Sequence, residues 1–197
     1  MAIAVSPQVA APLRGTGRGS RQVAISLQHP SGGPSRRATR GPRSGPDNLL
    51  VIASRLATRA RSWPDMTQAV RRRWELMAVT ETYEAWVIAW PPGGAIELHD
   101  HGGSSGAVIV VEGELKESRI AARPSGGVAI RTSTIGAGES VSFGARHVHD
   151  IVNAADATAI SVHVYAPRLS SMTYYRMTED ALEAQSTVRY RFGETVA

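Results

Sequence analysis

The 197-residue chain contains no cysteine. That excludes a disulfide framework, a thiolate metal site and a cysteine nucleophile, so any metal must be held by His, Asp or Glu. Lysine is nearly missing too: Lys116 is the single lysine among 22 basic residues. Aromatic residues make up only 6% of the chain, with two phenylalanines. No apolar run reaches the ~18 residues of a membrane span, and no secretory-type apolar core is present. Acidic residues are absent from one region only. Residues 1–46 hold seven Arg and no Asp or Glu. They carry +7 of a net +5, which leaves −2 on the remainder. The pI near 10.2 therefore belongs to the leading segment, and the rest of the chain does not read as a nucleic-acid-binding domain.

What is present divides the chain in two. Residues 1–46 are rich in Arg, Gly, Pro and Ser, as in Gly15-Thr16-Gly17-Arg18-Gly19-Ser20. Such a stretch buries too little apolar surface to offset its chain entropy, and disorder is expected. It reads as an upstream start-site artefact, a nonspecific polyanion-binding arm or a targeting peptide. Residues 47–197 are expected to form one domain, which 42% hydrophobic content can supply with a core. Leu49, Leu50, Ile52, Ala53, Leu56, Ala57 and Ala60 follow helical spacing. Asp47 is placed to cap that helix, Trp63-Pro64 to end it, and Asp65 to about Arg72 to form a second short helix.

After Arg73 the texture is β. Strands are expected over Tyr83 to Trp90, Ala107 to Val111, Glu114 to Ala122, Val128 to Ile135, Ser140 to Phe143, Val148 to Val152 and Ala159 to Tyr165. An edge strand is expected over Val188 to Phe192. Turn signals such as Pro91-Pro92-Gly93-Gly94 and Gly136-Ala137-Gly138 separate them. Many short strands at this spacing predict an antiparallel barrel or double-sheet jelly roll.

Four of the six histidines fall in two windows, His99-Asp100-His101 and His147-Val148-His149. On a strand, residues two apart point to one side, so His99 and His101 can converge on an ion. Such pairs also occur by chance on sheet surfaces. The surroundings favour the metal reading. Gly93 precedes His99, Gly113 follows His101, Gly138 precedes His149, and Asn153 lies four residues beyond His149. This two-part pattern resembles the cupin superfamily and selects His149 over His147. In many cupins a glutamate of the first motif is a fourth ligand. Gly106 stands at that position here, which leaves three neutral imidazoles.

Finer motifs resemble the cysteine dioxygenases. They are Trp90-Pro91-Pro92-Gly93, His99-Asp100-His101-Gly102-Gly103-Ser104-Ser105-Gly106-Ala107 and Glu112-Gly113-Glu114-Leu115-Lys116-Glu117. The later ones are His149-Asp150-Ile151-Val152-Asn153 and Ser161-Val162-His163-Val164-Tyr165-Ala166-Pro167. The resemblance spans roughly Arg73 to Tyr175. It implies a cupin fold, an Fe(II) ion held by His99, His101 and His149, and a relay of Ser161, His163 and Tyr165. Alternation puts those three on one sheet face; without the iron motif they would read as a polar outer strand face. An ungapped count back from Trp90 brings the family's substrate arginine to Arg73, with Arg71 or Arg72 as alternatives and Arg168 as a second candidate cation. An Arg fork matches a carboxylate bidentately. In the family, Arg at that place accompanies preference for cysteine, and Gln for 3-mercaptopropionate. Animal members carry at the place of Gly106 a Cys crosslinked to the relay tyrosine. A chain without cysteine cannot form that link.

The expected activity is oxidation of the L-cysteine thiol with O2 to cysteine sulfinic acid. The alternatives are the same chemistry on 3-mercaptopropionate or another small thiol, and a non-catalytic ligand-sensing cupin. The folded part is expected to be a cytoplasmic monomer without membrane or nucleic-acid partners.

Overall fold

The structure is a computed structural model that describes residues 46–60, 63, 66–124, 126–179 and 181–190. The expected Arg-rich tail, up to residue 45, lies outside the described residues, as do Pro64, Asp65 and Phe192.

Helix α1 spans Pro46–Ala60. Proline suits a first helical turn because its missing N–H has no partner there anyway. Asp47 therefore lies inside the helix rather than ahead of it, and its side chain is outside the described residues. Leu49, Ala53, Leu56 and Ala60 form the buried stripe while Val51 faces solvent, the helical period read from the sequence. The expected second helix is only a single 3-10 turn, Met66–Gln68.

Eleven strands follow among the described residues. They are β1 (Arg73–Val79), β2 (Glu84–Trp90), β3 (Ala95–His99), β4 (Ser105–Glu112), β5 (Glu114–Ala122), β6 (Val128–Gly136), β7 (Ser140–Phe143), β8 (His149–Val152), β9 (Ala159–Ala166), β10 (Ser171–Met177) and β11 (Leu182–Arg189). One sheet has the order β1-β2-β9-β4-β7 and the other β11-β10-β3-β8-β5-β6. Every pairing is antiparallel. This is the double-stranded β-helix of the cupins.

Strand β9 is buried along its whole length, and the two faces have different partners. Ile160, Val162, Val164 and Ala166 pack with Leu49, Ala53 and Leu56 of α1. Fully burying each leucine contributes roughly 1.5–3 kcal/mol. Ala159 of the other face joins Trp90, Leu115 and Ile151 between the two sheets. Ser161, His163 and Tyr165 share that inner face by alternation. The polar trio therefore points into the barrel, and the apolar set lies under the helix.

Three elements were not separately legible in the sequence: β1, β3 and β10. Strand β11 begins six residues before the expected edge strand. Strand β3 ends at His99, so His101 lies beyond it. Simple strand alternation therefore does not bring His99 and His101 together.

Candidate metal centre and active site

His99 closes β3 and sits directly opposite His149 at the start of β8. Opposed residues of an antiparallel pair present side chains to the same face at close range. His101 arrives by a different route, in the turn after β3. Asp100 anchors that turn to β10. Its carboxylate accepts the backbone N–H of Gly102 at 3.0 Å and of Thr173 at 3.0 Å, and the Tyr175 hydroxyl at 2.7 Å. Its own N–H donates to the Thr173 carbonyl at 2.9 Å. The turn folds His101 back beside its neighbours. Ring centroids lie 4.9 Å apart for His99–His101, 4.9 Å for His99–His149 and 5.0 Å for His101–His149.

The nitrogens of this trio fit a metal ion. One donor atom from each ring lies within 4.8 Å of the others. His99 donates from Nδ1 to the Glu97 carbonyl at 2.7 Å, and His149 from Nδ1 to Glu117 Oε1 at 2.7 Å. Each is left with Nε2 as a lone-pair donor. Both ring nitrogens of His101 are buried without a hydrogen-bond partner among the described residues. Unpaired buried polar atoms cost free energy, and a cation at the centre of the trio would remove that cost for one of them. Burial above all, and repulsion between neighbouring rings, lower the pKa of all three. They are neutral at physiological pH, as metal ligands must be. The three-histidine set could hold a divalent transition metal.

A second close group, Glu117, His147 and His149, shares a ring with the first. His147 precedes β8 instead of lying on it, so the same-face argument does not reach it. Its Nε2 turns to Glu117 Oε1 at 3.1 Å. Burial alone would raise the Glu117 pKa, but the two imidazole N–H groups hold it down to about 2.

The inner face of β9 carries a chain of hydrogen bonds. Trp90 Nε1 donates to Ser161 Oγ at 2.8 Å. Ser161 Oγ lies 2.8 Å from His163 Nε2, and His163 Nδ1 lies 3.1 Å from the Tyr165 hydroxyl. An indole can only donate. Ser161 is fully buried and His163 Nε2 is its other hydrogen-bond partner among the described residues, so its own proton goes to that nitrogen. His163 Nδ1 then carries a proton and donates to Tyr165 Oη. The phenolic proton is left to point elsewhere. Burial pushes His163 down to about 3 and raises Tyr165. The imidazole is thus neutral and the phenol protonated at neutral pH. The Tyr165 ring stacks on His101 with centroids 5.3 Å apart, which puts the end of the relay against the trio.

The arginines divide by face. Arg73 opposes Ala89, whose face packs under α1. Its guanidinium pairs with Glu75, which also accepts from Trp63 Nε1 at 2.6 Å. The clamp expected at Arg73 is thus turned away from the histidines. Arg72 has the opposite orientation. Its guanidinium lies 5.5 Å from the Trp90 ring centroid and 5.2 Å from that of Trp74. It donates to the Ala95 carbonyl at 3.0 Å. Burial lowers its pKa, and the phenols of Tyr174, Tyr165 and Tyr190 act in the other direction. Its charge is also felt by His99 and His163. The cause is a one-residue bulge in β1 at Met77, between Leu76 and Ala78. One extra residue in a strand moves everything before it to the other face. Arg168 lies where its charge opposes the burial-driven rise of the Glu84 pKa.

Sequence reasoning put Arg73 first with Arg72 as an alternative, and it did not single out the contacts of Trp90, Asp100, Glu117 and Tyr174. Tyr174 pairs with His99, with rings 6.1 Å apart. For Glu117 a signal existed: an acidic residue in phase with the core residue Leu115 along β5. Asn153 is a structural tie. Its amide donates at 2.7 Å to the carbonyls of Trp90 and Ala157, which holds the β2–β3 turn against the β8–β9 loop.

Comparison with known proteins adds the lineage. Among solved structures the chain is similar to TT1209 from Thermus thermophilus, at 22% identity over 50% of this chain and 85% of that one, TM-score 0.42. A protein with a double-stranded β-helix domain from Klebsiella pneumoniae subsp. pneumoniae matches at 18% identity over 55% and 87%, TM-score 0.46. Oxalate oxidase in complex with the substrate analogue glycolate matches at 20% identity over 50% of this chain and 53% of that one, TM-score 0.44. The family model for cysteine dioxygenase type I matches residues 52–178, a span that holds the three histidines, the relay and both arginines. The chain therefore belongs to the cysteine dioxygenase type I family, the cupin-type thiol dioxygenases.

Proposed function

We propose that the protein is an Fe(II)-dependent cysteine dioxygenase that adds both atoms of O2 to the sulfur of L-cysteine, giving cysteine sulfinic acid. The observation that carries the reading is the meeting of three features at one place. They are three neutral imidazoles with converging nitrogens, a relay that ends in a protonated phenol stacked on one of them, and a half-buried arginine whose charge reaches both His99 and His163.

In this reading His99, His101 and His149 hold the iron, which supplies the one-electron and O2 chemistry and favours the thiolate form of the substrate. Arg72, rather than Arg73, receives the substrate carboxylate. A guanidinium pinned over Trp90 presents a fixed fork to a planar anion. Ser161 and His163 keep the Tyr165 hydroxyl oriented, and Tyr165 donates its hydrogen bond to the developing sulfinate oxygen. Val108 and Val110 of β4, opposite His163 and Ser161, are fully buried, so bulk water is kept from the relay. The site is expected to act in the cytoplasm on one small thiol per chain, without a nucleic-acid or membrane partner.

The test is anaerobic Fe(II) loading, then oxygen uptake with cysteine and with 3-mercaptopropionate, with mass analysis of the product. Uptake with cysteine and a product 32 Da heavier is expected, on the order of one O2 per turnover. Faster turnover of 3-mercaptopropionate would reassign the substrate. No uptake with either thiol, despite bound iron, would favour a ligand-sensing cupin.

A further inference from the structure

Of the buried ionisable groups, Glu117 has no part in the reading above. It is 1% exposed on the inner face of β5, and a carboxylate in such a place needs partners. It has two, and both meet the same oxygen: His149 Nδ1 at 2.7 Å and His147 Nε2 at 3.1 Å. Oxygen Oε1 therefore stands on the Nδ1 side of His149, away from His99 and His101. That arrangement has two consequences. The proton of His149 is held on Nδ1, so its lone pair is on Nε2, toward the other two rings. The ring is also prevented from turning about its Cβ–Cγ bond, because any rotation breaks a charge-assisted bond.

His147 completes the brace from the other side. Its ring stacks on Phe143 with centroids 4.5 Å apart and planes 15° apart. Phe143 in turn stacks on His101 at 4.7 Å. His147 is thus locked against the wall of the centre while its Nε2 fixes the carboxylate. Reading Glu117, His147 and His149 as a separate metal site is physically weaker. Both ring N–H groups already point at the carboxylate, and a metal there would displace the His149 Nδ1 proton, which with Nε2 committed to the three-histidine centre would require a bridging imidazolate.

We propose that Glu117 is a positioning residue for the metal, that it sets the tautomer and direction of His149, and that His147 acts on the metal only by holding Glu117. The proposal rests on the reading of His99, His101 and His149 as the metal centre. A carboxylate behind a ligating imidazole typically contributes 10- to 100-fold in metal affinity.

The test uses the metal-stripped full chain titrated with Co(II), which needs neither substrate nor turnover. Ligand-field absorption reports affinity and geometry, and thermal melting of the metal-free forms reports the fold. Glu117→Gln keeps the shape and loses the charge. Co(II) should bind it roughly 10- to 100-fold more weakly, with altered bands. His147→Leu, at a partly exposed position, should bind Co(II) more weakly by a smaller factor. In the Glu117→Gln background His147→Leu should add no further loss. Wild-type affinity in Glu117→Gln would overturn the proposal. So would unchanged affinity in His147→Leu, which decides the matter even if Glu117→Gln does not fold. A His147→Leu loss of full size in the Glu117→Gln background would overturn it too. If the unsubstituted chain binds no Co(II), the three-histidine centre itself fails. If it binds and the variants match it, the centre stands and this proposal alone fails.

Discussion

Gly106 of β4 lies under the ring of Phe143: a Cβ there would come within 2.5 Å of Cε2 and nearer still to Cζ. Phe143 is the ring between His101 and His147, so the missing side chain is what allows this wall to stand against the centre. Gly106 also opposes Tyr165 across the β4–β9 pairing. A cysteine there would need Phe143 to move before its sulfur could approach Tyr165. We expect Gly106→Ala to destabilise the protein by about 1–3 kcal/mol through overpacking, measured by urea unfolding. The penalty should shrink when the same change is made in a Phe143→Ala background. An equal penalty in both backgrounds would remove the ring as its cause.

The bulge at Met77 makes a direct prediction about the arginines. Arg72→Gln should lower kcat/KM for cysteine about 10- to 100-fold, the loss of a charge-assisted bond of ~1.5–3 kcal/mol, and should shift preference toward 3-mercaptopropionate. Arg73→Gln removes a pairing with Glu75 on a half-exposed face and should leave kcat/KM within about twofold, as surface pairs do. Steady-state oxygen uptake separates the two. The opposite ranking would return the clamp to Arg73.

The polarity of the relay is testable through its last member. Tyr165→Phe keeps the ring that stacks on His101 and removes the hydroxyl. Metal content should stay at the wild-type level while kcat falls on the order of 10²-fold. Ser161→Ala should cost about 1–3 kcal/mol in stability, because it leaves the buried Trp90 N–H without its acceptor. Equal metal content and unchanged kcat in Tyr165→Phe would show that the phenol has no part in turnover.

Metal loading should stabilise the fold through His99, His101 and His149. Mass action predicts about 2.7 kcal/mol when free metal is 100 times its dissociation constant. His99→Ala should abolish both the shift in thermal midpoint and the bound iron. Iron at wild-type content in that variant would refute the ligand assignment.

The metal-free protein should lose stability as it is acidified. His163 is buried, with its pKa pushed to about 3 by desolvation, against about 6.5 in an unfolded chain. The unfolded state therefore binds the extra proton between these values. The contribution is fully present above about 6.5 and is lost progressively as pH falls toward 3. Urea midpoints between pH 7.5 and pH 5, above the carboxylate range, should fall on acidification. The slope should be smaller in His163→Gln.

Much of the fold was readable from local pattern. The α1 stripe from Leu49 to Ala60 obeys a 3.6-residue period, and β5 and β7 match their expected bounds. β10 was not legible because Ser171 to Met177 has no clean alternation, its burial being mostly intermediate along its length. β3 was obscured because its pairing with β8 is irregular between Ile96 and His99.

Residue spacing alone determined that Ser161, His163 and Tyr165 share a face, because strand alternation is carried by the local segment. The set of His99, His101 and His149 was legible only through the resemblance of its two motifs to the cupins, since β3 ends at His99 and alternation does not reach His101. Tertiary structure decided which arginine turns inward, because a single bulge at Met77 reverses the faces of β1. It also decided that Asp100 swings His101 into place, and that Glu117 backs His149 from a different strand. Each depends on contacts between segments distant in the chain, and such contacts leave no period in the sequence.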